Sequence, residues 1–232
     1  MKIALLGYGK MGKVIEKIAL ERGHEIVLKK DQSNSFDGLL KADIAIDFSI
    51  PDSAVRNITE CLNNEIPVIS GTTGWLNDYP KIVALCEEKN GSFIYGSNFS
   101  LGVNIFFELN EYFSKMMANL KQYSVSMEEI HHTQKLDAPS GTAITLAEGI
   151  IKHTDYTNWT LENPTKNQIE INAKRIENIP GTHSVFYDSE VDQIEIKHTA
   201  HSREGFALGA VVAAEWLVGK KGVFTMKDVL GI

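Results

Sequence analysis

Lys2-Ile3-Ala4-Leu5-Leu6-Gly7-Tyr8-Gly9-Lys10-Met11-Gly12, KIALLGYGKMG, is a short apolar run that breaks into three glycines spaced as GxGxxG. Met11, Val14, Ile15 and Ile18 then recur at the spacing of one helix face, and Gly23 offers a C-terminal stop. A strand that turns through glycines into a helix suits a dinucleotide. Gly7 permits the tight turn, Gly9 lets backbone approach a pyrophosphate, and Gly12 lets helix and sheet pack closely. The helix start adds unbonded N–H groups and the positive end of the dipole. The same residues also suit a turn that holds no ligand, but a strand before and a helix after favour the cofactor reading. Tyr8, Lys10 and Met11 fall inside this loop, and Lys10 and Lys13 can add charge near the phosphates.

Outward from the loop, the alternation continues. Glu25–Leu28, Asp43–Phe48, Pro67–Ser70 and Ser92–Tyr95 are apolar runs of strand length, with helix-period segments near 52–64 and 77–89 between them. Strands alternating with helices predict a Rossmann-type, doubly wound parallel sheet covered on both faces. Ligands of such sheets bind beyond the carboxyl ends of the strands. That rule singles out Phe48 and Ser49, then Gly71, Thr72 and Thr73 in a GTTG loop, then Ser97, Asn98 and Phe99 where the chain leaves the sheet. An acid about 20 residues past the glycine loop grips a ribose 2′-hydroxyl and favours NAD. Asp31 stands near that position, yet Lys29 and Lys30 beside it suit the 2′-phosphate of NADP. NADH and NADPH are both expected as cofactors.

After about residue 100 the rhythm changes. A long helical stretch, 102–120, leads to more polar strand-like segments at 122–127, 168–175, 184–187 and 193–198, read as an antiparallel sheet with one wet face. Residues 155–167 read as a loop. The tail, 205–219, is apolar on nearly every side except at Glu215, which predicts a buried helix returning to the first domain. The expected organisation is therefore a dinucleotide-binding domain from 1–102 and 206–232. An inserted α+β domain, 103–205, would bind substrate and oligomerise.

The chain has 232 residues, 43% of them hydrophobic, which supports a packed globular core, and a net charge of −7, which argues against a nucleic-acid partner. Its longest apolar stretch, 206–214, falls short of the roughly 20 residues that span a bilayer, so no membrane association is expected. Cys61 and Cys86 are too few for a disulfide framework, and the apolar start lacks a signal-peptide cleavage pattern; a cytoplasmic location is expected.

The segment richest in chemistry is 128–142, EEIHHTQKLDAPSGT. His131 and His132 precede Lys135 in what reads as a loop leaving a strand. Histidine titrates across neutral pH, and a lysine enclosed among cations can have its pKa lowered enough to act as an acid. Ser140, Gly141 and Thr142 place hydroxyls and bare amides at a helix start, a cradle for a carboxylate or phosphate. An acidic small molecule is the expected partner. No carboxylate or cysteine stands at metal-ligand spacing from the histidines, so no metal is expected, and a GxSxG elbow is lacking.

With GYGKMG at 7–12, DFS at 47–49, GTTG at 71–74, SNFSLGVN at 97–104, EIHHTQKLDAPSGTA at 129–143 and REGFALGAVVAAEWL at 203–217, the sequence resembles the dihydrodipicolinate (4-hydroxy-tetrahydrodipicolinate) reductase family over most of its length. The resemblance implies NAD(P)H-dependent reduction of 4-hydroxy-tetrahydrodipicolinate in the diaminopimelate route to lysine. It implies a small dicarboxylate substrate, His131 and Lys135 as the catalytic pair, with Lys135 the proton donor, and His132, Ser140, Gly141 and Thr142 as substrate contacts. It also implies a homotetramer built through the second domain's sheet. Lys10 stands where the family commonly has arginine, and Asp31-Gln32 where others carry an acid followed by a basic residue. A related dehydrogenase using a cysteine of the second domain is the rival reading, but both cysteines precede that domain.

Overall fold

The structure, a computed structural model, describes residues 1–31 and 35–232. In chain order the elements are β1 (Lys2–Leu6), α1 (Lys10–Glu21), β2 (Glu25–Lys30), β3 (Ile44–Asp47), α2 (Pro51–Asn63), β4 (Val68–Ser70), α3 (Tyr79–Glu88) and β5 (Ser92–Tyr95). Then come α4 (Leu101–Met117), β6 (Ser124–His131), α5 (Gly141–Ile151), β7 (Asn158–Thr160), β8 (Gln168–Arg175), β9 (Gly181–Asp188) and β10 (Gln193–Ala200). The chain closes with α6 (Glu204–Leu217), β11 (Gly222–Phe224) and α7 (Met226–Leu230). These form two compact units, Met1–Leu101 with Arg203–Ile232, and Gly102–Ser202.

The first unit holds a parallel sheet of order β11-β5-β4-β3-β1-β2. Side chains of a strand alternate between faces, so both faces must find cover. Ile3, Leu5, Ile44, Ile46, Ile69 and Ile94 enter one core with Ile15 and Ile18 of α1 and with Ala207, Ala210, Val211 and Leu217 of α6. Ala4, Leu6, Ala45, Val68 and Phe93 enter the other with Ala54 and Ile58 of α2 and Ile82 and Cys86 of α3. Glu215, the polar interruption in α6, binds Arg22 through both oxygens at 2.8 and 2.7 Å and His24 at 2.7 Å. The doubly wound parallel sheet matches the expectation. The tail also adds a strand and a short helix, β11 and α7, too brief to register as periodic patterns.

The second unit is built on a five-stranded sheet, β10-β9-β6-β8-β7. It is mixed rather than purely antiparallel, because β8 runs parallel to both β6 and β7. A further correction concerns residues 155–167, where a three-residue edge strand, β7, forms within the segment read as loop. On one face, Val125, Met127, Ile169, Ile171, Val185 and Tyr187 pack against Phe106 and Met117 of α4 and Ala143, Leu146 and Ile150 of α5. β6 itself runs on to His131, past the point at which the pattern stops looking like a strand.

Candidate functional site

The carboxyl ends of β1 and β3 flank the switch point of the parallel sheet, where successive connections depart in opposite directions. Gly7 sits there with φ +100°, and a Cβ on it would lie 2.1 Å from the Phe48 carbonyl oxygen. A Cβ on Gly12 would lie 2.3 Å from the Gly7 carbonyl oxygen. Gly9, at the N-cap of α1, has nothing within 4 Å of such a position. The helix start has no side-chain cap and no acidic residue in its first turn, so its amides face outward unopposed by charge. Two glycines are therefore compelled by the fold, and the third leaves open the approach that a pyrophosphate needs. The residues present fit a dinucleotide.

Gly7, Tyr8, Gly9, Asp31, Phe48 and Ser49 line a cavity of about 280 Å³. Met11, Phe48, Gly71, Ser97, Asn98 and Phe99 line a neighbouring one of about 210 Å³, with Phe48 common to both. Phe99 is 1% exposed and backs the second cavity from the core. Lys10 and Thr73 are exposed side chains outside both linings, while Gly12 is buried within α1. The two lysines flanking Asp31 are used differently. Lys29 pairs with Glu16 at 2.5 Å, and Glu16 also accepts the Tyr8 hydroxyl. Lys30 reaches the Asp31 carbonyl at 3.3 Å and helps line the first cavity. Gln32, set beside Asp31 in the sequence reading, lies outside the described residues.

Beneath these loops lies the first residue of the DFS motif, which the sequence reading took as part of the strand-end loop. Asp47 is fully buried, and its carboxylate accepts Asn57 Nδ2 at 2.8 Å, Ser49 Oγ at 2.8 Å, Ser70 Oγ at 2.8 Å and Thr72 Oγ1 at 2.7 Å. Thr72 Oγ1 in turn accepts the Ser49 amide at 2.8 Å. Thr72 thus joins the ends of β3 and β4 instead of lining a cavity. Burial pushes the Asp47 carboxyl above its ordinary range, against the four donors that favour the ion.

In the second unit, the interior face of β6 changes from core to chemistry within a few residues. Val125 and Met127 belong to the apolar core, and by the same alternation Glu129 and His131 follow on that face, both buried. Register sets Glu129 opposite His183 of β9 and His131 beside Arg175 of β8. Glu129 Oε1 accepts Arg175 Nη2 at 3.1 Å, and Oε2 accepts the Ser140 amide at 3.0 Å. His131 Nδ1 lies 3.5 Å and His183 Nε2 3.7 Å from Oε2. Burial favours the uncharged acid, but hydrogen bonds from His183 and Ser140 outweigh it and hold Glu129 at about 2. Burial, followed by the repulsion of His183, lowers His131 to about 4. The first histidine of the pair is thus a neutral, buried residue of the strand itself, not part of the loop that leaves it.

Ser140 caps α5, its Oγ accepting the Ala143 amide at 3.2 Å and lying 3.1 Å from His183 Nε2. Gly141, at the start of α5, is exposed with open space at its Cβ position, and Thr142 follows it half-buried. Lys135 is half-buried, and its Nζ holds both Asp137 carboxylate oxygens at 2.9 and 2.7 Å. Its immediate partner is an anion rather than a cluster of cations, and the pairing lowers the Asp137 carboxyl. His132 is half-buried at the strand exit, its carbonyl accepting the Lys135 amide at 3.1 Å. Spacing along the chain gave the histidines no third metal-type ligand, yet Glu129, His131 and His183 bring one donor atom each within 4.8 Å of one another. Both Glu129 oxygens in that group already accept N–H donors. Glu129, Arg175 and His183 are the residues missed here; period-two alternation carried past Met127 would have found Glu129.

Glycines fitted to a dinucleotide at the switch point of a parallel sheet mark the first unit as a Rossmann-type dinucleotide-binding fold. The family models "Dihydrodipicolinate reductase, N-terminus" and "Dihydrodipicolinate reductase, C-terminus" match residues 1–99 and 102–230. A 4-hydroxy-tetrahydrodipicolinate reductase of Christiangramia forsetii is 57% identical over 99% of this chain and 98% of its own. One from Thermosipho africanus is 35% identical over 99% and 98%. A dihydrodipicolinate reductase from Paenisporosarcina sp. TG-14, solved with dipicolinate bound, shares the fold at TM-score 0.77 and 20% identity, over 98% of each chain. The chain belongs to the dihydrodipicolinate reductase family. It is an NAD(P)H-dependent oxidoreductase. Among the described residues, no helix is long and apolar enough to cross a membrane.

Proposed function

We propose that this chain reduces 4-hydroxy-tetrahydrodipicolinate to tetrahydrodipicolinate in the diaminopimelate route to lysine. The observation that carries this reading is the relation, along essentially the whole chain, to the 57% identical reductase of Christiangramia forsetii. Gly7, Tyr8, Gly9, Lys10, Met11 and Gly12 hold the dinucleotide pyrophosphate at the α1 start, and Asp31 meets the adenosine ribose. Phe48, Ser49, Gly71, Thr73, Ser97, Asn98 and Phe99 form the nicotinamide side, with Thr72 bracing the loop from within. When bound, NAD(P)H supplies the hydride.

Substrate carboxylates need anchors, and the Ser140 hydroxyl with the Gly141 and Thr142 amides supplies one at the positive end of α5. His132 adds a contact at the strand exit. The 4-hydroxyl leaves the ring as water with a neighbouring C–H proton, the conjugated ring so formed accepts the hydride, and Lys135 Nζ, giving up Asp137, delivers a proton to the ring carbon where negative charge develops. His131 acts from beneath, as a neutral side chain at the base of the Lys135 loop. With Lys30 and Asp31 both at the first cavity, NADH and NADPH both serve.

The protein works in the cytoplasm as a homotetramer joined through the sheet of the second unit. Supporting this, the sheet face opposite α4 and α5 carries half-buried Ile130 and Phe186 beside Ser126 and Glu128. The test is a purified-protein assay run beside light scattering, with 4-hydroxy-tetrahydrodipicolinate generated in situ by dihydrodipicolinate synthase. Expected are consumption of both cofactors, dependent on that substrate, and a tetrameric mass. Cofactor consumption that ignores the substrate contradicts the reaction, and a monomeric mass contradicts the assembly.

A further inference from the structure

Keeping an ionised carboxylate inside a sheet is expensive, commonly several kcal/mol before its partners are counted. Glu129 sits where the alternation Val125, Met127 would place another apolar side chain, so the core does not require it. What it does is join three strands to one loop. Its Oε2 holds the Ser140 amide at the start of α5, and its Oε1 holds Arg175. Arg175 then reaches over to the loop itself, donating Nε to the Lys135 carbonyl at 3.1 Å and Nη2 to the Asp137 carbonyl. The loop between β6 and α5 is therefore gripped from below at the lysine and again at the helix start.

His183 adds a directional element. Its Nε2 lies 3.1 Å from Ser140 Oγ and 3.7 Å from the Glu129 carboxylate. A carboxylate facing that nitrogen favours the tautomer that carries the proton there. Nε2–H then donates to Ser140 Oγ, which also accepts the Ala143 amide. Both acceptor positions of the hydroxyl are filled, so its oxygen is held in place at the start of α5.

We propose that Glu129, with Arg175 and His183, forms a buried positioning device for the reduction: it fixes the Lys135 loop through Arg175 and holds the Ser140 hydroxyl in place through His183. This rests on the reading of Lys135 as proton donor and Ser140 as an anion contact. Glu129 and Arg175 touch neither substrate nor reacting atoms; they act through the loop.

The experiment is steady-state kinetics on full-length Glu129→Gln, Glu129→Asp and His183→Leu proteins, each checked for wild-type secondary structure and NAD(P)H affinity. Glu129→Gln keeps the shape but turns an N–H₂ toward groups that are themselves donors. Its kcat is expected to fall roughly 10²-fold, the scale of a small misplacement of a reacting group. Glu129→Asp, which restores the charge, recovers part of that loss and stands in if the glutamine protein does not fold. His183→Leu is expected to raise the substrate KM more than it lowers kcat. Wild-type kcat and KM in a folded Glu129→Gln protein overturn the proposal. So does a wild-type enzyme that chelation inactivates and zinc restores, since the cluster would then be a metal site. If Lys135→Ala is inactive while Glu129→Gln is normal, only the positioning device fails; if Lys135→Ala is also normal, the catalytic reading beneath it fails.

Discussion

Asp47 and Glu129 are fully buried carboxylates, one in each unit, and their surroundings treat charge oppositely. Asp47 faces neutral donors only in its four hydrogen bonds, and burial wins; Glu129 sits with Arg175 and two histidines and stays ionised. Glu129 and His131 both make stability fall as pH falls, while Asp47, raised by burial, acts against them. His131 has its pKa lowered from 6.5 to about 4, so across that window the unfolded chain binds more protons and stability falls as pH is lowered. Glu129, lowered from 4.5 to about 2, contributes stability that is complete above 4.5 and is lost as pH falls through 2. The two act in the same direction. The melting temperature of the wild-type protein is expected to drop between neutral pH and about 4, and a His131→Gln protein to show a shallower drop. Equal slopes would mean that His131 titrates normally. Neither carboxylate was legible as a buried residue, because a lone acid at the end of an apolar run looks the same whether it turns in or out.

At the scale of elements, the glycine loop separates two kinds of constraint. A Cβ on Gly12 collides with the Gly7 carbonyl, whereas one on Gly9 meets open space. Gly12→Ala is therefore expected to lower thermal stability as well as cofactor affinity. Gly9→Ala, whose backbone φ of −86° any residue tolerates, is expected to melt normally yet bind NAD(P)H at least roughly tenfold more weakly, about 1.4 kcal/mol. Isothermal titration beside a thermal melt checks both; normal affinity in Gly9→Ala would place the pyrophosphate elsewhere. β1 and its loop were readable in advance because strands covered on both faces write themselves as unbroken apolar runs. β6 was readable only as far as Met127, since Glu129 and His131 break the apolar pattern while continuing the alternation. β7, three residues at a sheet edge, and the parallel pairing of β8 left no local signal, because pairing direction depends on connections and not on composition.

Across the whole molecule, the apolar tail was legible as a buried helix, and α6 does lie in the core against α1, β3, β4 and β5. The segment 129–143 was legible as chemistry because its residue types have little use in packing. Its internal wiring was not, because Arg175 and His183 come from strands far along the chain and meet Glu129 only through sheet register. As proposed, Lys135 supplies the proton in an NAD(P)H-dependent reduction. The most direct measurement is single-turnover reduction of 4-hydroxy-tetrahydrodipicolinate by a Lys135→Ala protein, with dinucleotide affinity measured in parallel. Expected is a loss in rate of roughly 10²–10⁴-fold, the usual worth of a positioned general acid, at unchanged cofactor affinity. A Lys135→Ala protein that turns over at the wild-type rate would contradict it.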